Sequence, residues 1–346
     1  MKRFLSLFLA FAMFVCVIPA SGASFSNTDS ENYSIHTAYE YPITPSNEEW
    51  LQMESHLERV GVCQIPADIL GAMSTDALVE TIANYPLLVD VLLFDRAEDA
   101  YQTILGGFNG FQELEKRPDA LAALTDFIEN NEEIQDDFIR KAALEVIALA
   151  GDFVSSDIST QSVKCPAYSD AYVVYPELLN SSSELLSNAA MPLSDWPKTP
   201  SGNDVKDYYV YYDRTPELSQ VDKNAIEEEV IAVYGLYPSR DATRKYNCHS
   251  YAWHDQSTSN LWWIDNPNDY ISDPLVTRVY SPRAGDRITY QVTSTGKYEH
   301  SGIVESVAAN GTILIKSKWG AWGLYIHSID NCPAIYGRYT TYWRIG

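Results

Sequence analysis

Apolar positions along the chain change their period about two-thirds of the way through. From residue 46 to residue 150 they recur at helical spacing, as in Leu78, Ile82, Leu87, Val91 and Leu93 with Pro86 breaking the run. That is the pattern of amphipathic helices joined by tight turns. Ser46-Asn47-Glu48-Glu49 fits a capping box, in which serine and glutamate each satisfy an otherwise orphaned backbone donor, so a helix is expected from there to about Val60. Further helices are expected over 75–84, 86–94, 97–105, 120–130 and 132–150. Residues 45–155 therefore read as an all-α domain.

Between residues 155 and 200 the text turns rich in Ser, Asn and Pro (SSSELLSN, PLSDWPKTPSGN), which is loop or linker composition. Beyond it the period shortens. DYYVYYD at 207–213 reads as a strand, 218–234 as a helix stopped by Gly235, and alternating segments at 287–292, 301–307, 312–318, 324–327 and 339–344 as strands. A helix followed by an antiparallel meander is an α+β layout. The domain order expected is a helical domain at 45–155, a loop-rich stretch at 156–204 and a second, sheet-containing domain at 205–346.

The first residues, MKRFLSLFLAFAMFVCVIPASGA, have the layout of a secretory signal peptide cut after Ala23, followed by a polar, flexible leader to residue 44. The apolar run is too short for a membrane span, so an exported protein with no membrane insertion is expected. The formal charge of -23 becomes -25 once Lys2 and Arg3 leave with the signal. From Lys245 onward nine Lys/Arg oppose eight Asp/Glu, so the acidic excess lies upstream, where it argues against nucleic acid and leaves room for a protein partner of the helical domain. Four cysteines outlast the signal: Cys63, Cys165, Cys248 and Cys332. That is too few for a disulfide-built scaffold.

Chemistry concentrates in RKYNCHSYAW at 244–253. Cys248 there is open to four readings: a nucleophile, half of a disulfide with Cys332, a metal ligand, or a small buried side chain. Asn247 is a competent helix N-cap, which would set Cys248 in a first turn where free N–H groups favour the thiolate and where the backbone N–H groups of Cys248 and His249 could meet an oxyanion. His249, one residue on, points about 100° away around a helix and cannot reach back. His249, His254 and His327 with Cys248 offer at most an improvised metal site. No zinc-finger spacing occurs, and no metal or other cofactor is expected.

NCHSYAW at 247–253, PRAGDRITYQ at 282–291, HSGIVESV at 300–307 and TILIKSKWG at 312–320 resemble secreted bacterial cysteine peptidases and amidases of the NlpC and CHAP type, within the papain-like fold. The resemblance covers only the C-terminal region. It implies Cys248 as nucleophile, His300 at a strand start as base, a polar residue on the next strand to orient the base, and cell-wall peptide as the substrate class. A hairpin turn at Ala309-Asn310-Gly311 would put Ser317 on the inward face near His300 and turn Lys316 and Lys318 the other way. Ser317 is thus the expected orienter, with His327 its rival. Aromatic residues also gather here. Tyr246, Trp253 and Trp319 are either core or the wall of a substrate groove. The leading expectation is a secreted thiol hydrolase; the alternative is a non-catalytic secreted binding or surface protein that uses the groove of the same fold.

Overall fold

The computed structural model describes residues 34–93, 105–151, 196–206, 208–210 and 217–346. The signal peptide, the start of the leader, most of the helix expected at 97–105, most of the loop-rich stretch and Cys165 lie outside the described residues.

The helical pattern yields α1 (Glu48–Gln52), α2 (His56–Val62), α3 (Ala67–Ala72), α4 (Thr75–Ala83), a 3-10 turn (Leu88–Leu93), α5 (Asn109–Leu114), α6 (Ala120–Asn130), α7 (Glu132–Asp136) and α8 (Phe138–Ala150). Two expected helices are each split in two, and in both cases an inner cap explains the break. The Ser55 hydroxyl accepts from the Glu58 N–H and starts α2, and the Asp137 carboxylate accepts from the Arg140 N–H and starts α8. Such side chains offer the backbone a partner that competes with helix continuation. The capping box read at Ser46 does not form; Asn47 stands at the N-cap of α1 with no side-chain cap bond. Pro86 leaves only a 3-10 turn behind it.

The C-terminal part is mixed α and β, as expected. It has β1 (Tyr208–Val210), α9 (Gln220–Tyr234), α10 (Cys248–Trp253), β2 (Trp262–Ile264), α11 (Asn268–Ile271), β3 (Val276–Val279), β4 (Arg287–Gln291), β5 (Tyr298–Val307), β6 (Ile313–Lys318), β7 (Leu324–Ser328) and β8 (Tyr339–Ile345). Helix α9 carries a full capping box at Ser219 and Asp222 and ends on Gly235 in the left-handed region (φ 67°), where a side chain would be strained. Strands β4 to β7 form the antiparallel meander, β8 returns beside β4, and β3 pairs with β8, giving the order β3-β8-β4-β5-β6-β7. β1 and β2 make a separate antiparallel pair.

The sequence separates helices and sheet into two domains, but the packing joins them. Ser34–Gly346 is one compact unit, and one apolar cluster runs from Trp50, Leu78, Leu92 and Phe111 through Val233 to Tyr290, Val304, Trp319 and Tyr336. Polar ties cross the same boundary. The Trp50 indole donates to the Val233 carbonyl (2.7 Å), the Tyr336 hydroxyl to the Leu93 carbonyl (2.7 Å) and Arg59 to Asn331 (2.7 Å). The deepest tie is a buried network. The Ala334 N–H donates to His56 Nδ1 (3.0 Å), which leaves His56 Nε2 to donate to Asp90 (2.8 Å), and the Tyr234 hydroxyl donates to the other Asp90 oxygen. Residues 34–44, expected to be flexible, are docked as well. Ile35 bridges Met73, and the Tyr39 N–H and Tyr41 hydroxyl both bond Thr81.

Candidate functional site

Side chains alternate across β5, and the alternation divides the candidate residues between two faces of the sheet. Ser301 and Ile303 point toward α10. The Ser301 hydroxyl meets His249 Nδ1 (2.8 Å) and accepts from the Trp253 indole (3.0 Å), and Arg287, opposite Ile303, donates to the Ala252 carbonyl (2.9 Å). His300, Gly302 and Val304 point the other way, toward the helical region. His300 stacks on Tyr336 (ring centroids 4.0 Å apart, 9° between planes), and Tyr336 in turn holds Leu93.

Cys248 opens α10 as expected. Asn247 is its N-cap: the side-chain oxygen accepts from the Ser250 N–H (3.0 Å) and the Ile264 N–H (3.3 Å), and the amide donates to the Ile264 carbonyl (2.8 Å). The cap therefore also clamps the helix start to β2. Cys248 is 3 % exposed, and it, Cys63 and Cys332 are all free thiols, so Cys248 and Cys332 form no disulfide. The helix is only six residues long, which gives a small macrodipole.

The structure does not bring Cys248 and His300 together. The helix bearing the thiol lies on the Ser301 face, the imidazole lies on the opposite face, and neither ring nitrogen of His300 has a hydrogen-bond partner. Ser317 does share the His300 face, as the hairpin register requires, since a Cβ added at Gly302 would stand 3.1 Å from the Ser317 Cβ. Its hydroxyl serves His327 instead, at 2.7 Å from Nε2, and accepts from the Trp319 indole (3.1 Å). The two rivals for orienting His300 are thus bonded to each other. His327 Nδ1 donates to the Ser328 carbonyl (2.8 Å), so Nε2 carries the lone pair and the Ser317 O–H donates to it. Tyr246, Trp253 and Trp319, the expected groove wall, are core residues, buried to 2 %, 4 % and 0 % exposure.

Burial sets the electrostatics of both faces, because it penalises the charged form. Burial, reinforced by Lys297, lowers His249 to about 3. Burial lowers His327 to about 4, with Arg338 adding to it, and holds His300 well below the ordinary range. Burial also pushes the Cys332 thiol up to about 12, so that it is an inert thiol at neutral pH.

One residue on the Cys248 face escapes the sequence reading. Lys318 was expected on the outer side, yet it is fully buried, and its ammonium donates to the Thr243 (3.0 Å) and Gly320 (2.6 Å) carbonyls over the Tyr246 ring (5.5 Å). A cation thus sits under the loop that leads into Cys248. Alternation does put Lys318 on the face opposite Ser317, but only the packing of α10 shows that this face is covered rather than open to solvent. Comparison with family models, with curated proteins and with solved structures found no match to this chain.

Proposed function

We propose that the chain is an exported thiol hydrolase that works from the Cys248 face without His300. The observation that carries this reading is the buried Lys318 ammonium beside the loop into Cys248. A nearby cation favours the thiolate over the thiol, and the thiolate is the nucleophile. The sulfur attacks a peptide or amide carbonyl, the C–N bond breaks, and the thiol proton leaves on the amine. Water then hydrolyses the thioester and returns the thiol. Cell-wall peptide as the substrate class rests on the sequence resemblance alone, as does export on the signal-like first residues.

A non-catalytic binding or surface protein is the second reading, favoured by the separation of Cys248 from the expected base. In that reading Cys248 is packing.

Alkylation of the full chain by iodoacetamide at pH 6, with the modified cysteine located by mass spectrometry, separates the two. An activated Cys248 reacts at least about tenfold faster than a model thiol, and Lys318→Gln removes most of that advantage. Labelling no faster than a model thiol, together with no release of amine from cell-wall peptide fragments, would leave the non-catalytic reading standing.

A further inference from the structure

On the opposite face the sheet gathers a set of side chains that the proposed hydrolysis does not use. His300, His327 and Cys332 are all buried, and one ligand atom of each lies within 4.8 Å of those of the other two. They come from β5, β7 and the loop after β7, so no sequence motif announces them. We propose that these three residues form a structural site for a divalent metal ion of the zinc class.

Two observations support the assignment. First, both ring nitrogens of His300 are buried with no hydrogen-bond partner among the described residues, while the neighbouring Tyr290, whose ring lies 5.4 Å from that of His300, meets the Cys332 thiol. Buried polar atoms without a partner are rare in native proteins, so two on one imidazole call for an occupant. Second, His327 is prepared as a ligand. Its Nδ1–H is fixed on a backbone carbonyl and its Nε2 carries the lone pair, which is the usual way a metal-binding imidazole is oriented. For an ion to bind at Nε2 the Ser317 side chain, whose oxygen stands 2.7 Å from it, must swing to another χ1 rotamer and release the Trp319 indole.

Two imidazoles and one thiolate suit zinc over the hard, oxygen-seeking calcium and magnesium ions. With all three ligands buried and each supplied by a different segment, such an ion would pin the loop after β7, and with it Tyr336 and the Leu93 contact, to the sheet.

The test uses the full chain produced in cobalt-supplemented culture, so that the ion is present while the chain folds. Cobalt is the probe because thiolate ligation gives it a charge-transfer absorption in the near ultraviolet. The expected result is about one cobalt per chain, with that absorption present in the wild type and in Cys248→Ala and lost in Cys332→Ser. His300→Gln and His327→Gln should each lower retention of the metal against a chelator at least tenfold. Less than about a tenth of an equivalent of metal in the folded wild type overturns the proposal and leaves ordered water to fill the site. Cobalt bound without the thiolate absorption, or with an absorption that survives Cys332→Ser, overturns it as well. The wild-type measurement decides even if the variants fail to fold.

Discussion

The two faces of the six-stranded sheet each receive a cysteine and histidines, and they treat them in opposite ways. On the α10 face the polar groups around the helix start are held by neighbours: Asn247 clamps the start itself, Ser301 holds His249 and Trp253, and Lys318 is tied to two carbonyls. On the helical face His300 is left with two unpaired nitrogens among the described residues, while His327 is fixed by Ser317 and Ser328. The lesson is that one residue of alternation decides the chemistry available to a side chain. His300 and Ser301 are adjacent in sequence, yet only Ser301 faces the helix that carries Cys248.

The sharpest way to break this comparison is to remove each face's reactive residue in turn. Cys248→Ala should lower hydrolysis at least about a thousandfold, equivalent to about 4 kcal/mol of barrier, in a protein that stays folded. His300→Ala, if folded by circular dichroism, should lower it less than about tenfold. Equal losses from the two variants would mean that the thiol and the imidazole act as a unit, and the division by faces would fail.

The next largest effect concerns the helical face and its partner elements. Asp90→Ala leaves His56 and the Tyr234 hydroxyl without their acceptor in a buried network and should cost about 3–5 kcal/mol of unfolding free energy. Urea unfolding followed by both tryptophan fluorescence and circular dichroism should give one transition that moves as a whole. Two separated transitions would show that the helices and the sheet melt independently despite their common core.

Acid sharpens the comparison further, because each face holds a neutral histidine. The folded chain keeps His249 and His327 unprotonated down to about 3 and about 4, whereas the unfolded chain protonates them below about 6.5. The unfolded state therefore binds more protons in that window. The stabilisation is complete above about pH 6.5 and is lost as pH falls toward 4 for His327 and toward 3 for His249, at up to about 1.4 kcal/mol per pH unit for each. Urea titrations from pH 7 to 4.5 measure the slope. In His249→Gln it should fall by about that amount, and an unchanged slope would count against a buried neutral His249. The smallest effect is expected at Ser317. In the metal-free chain, replacing it by alanine orphans His327 Nε2 and the Trp319 indole and should cost about 1–3 kcal/mol, read from the urea midpoint.

Much of the scaffold was legible from local rules. The helix over Ala120–Asn130, the Gly235 stop after α9 and the meander β4 to β7 follow from period, cap and turn chemistry that act within a few residues. Asn247 as the cap of Cys248 was legible for the same reason. The short strands β2 and β3 were missed, because three or four residues show too little alternation to separate strand from loop. What failed in the candidate site was long-range. The hairpin register put Ser317 on the His300 face, but nothing local says which face α10 covers. The same gap hid Lys318 as a buried cation and the meeting of His300 with His327 and Cys332, which depends on three segments converging.

The continuous core also bears on whether the acidic helical region could be a segment that a protease removes. Here the segment ending at Leu93 supplies the carbonyl that anchors Tyr336 and the apolar floor beneath Trp319. Clipping it away would strip the sheet's inner face bare to water. Any control over this protein must therefore act on an intact chain.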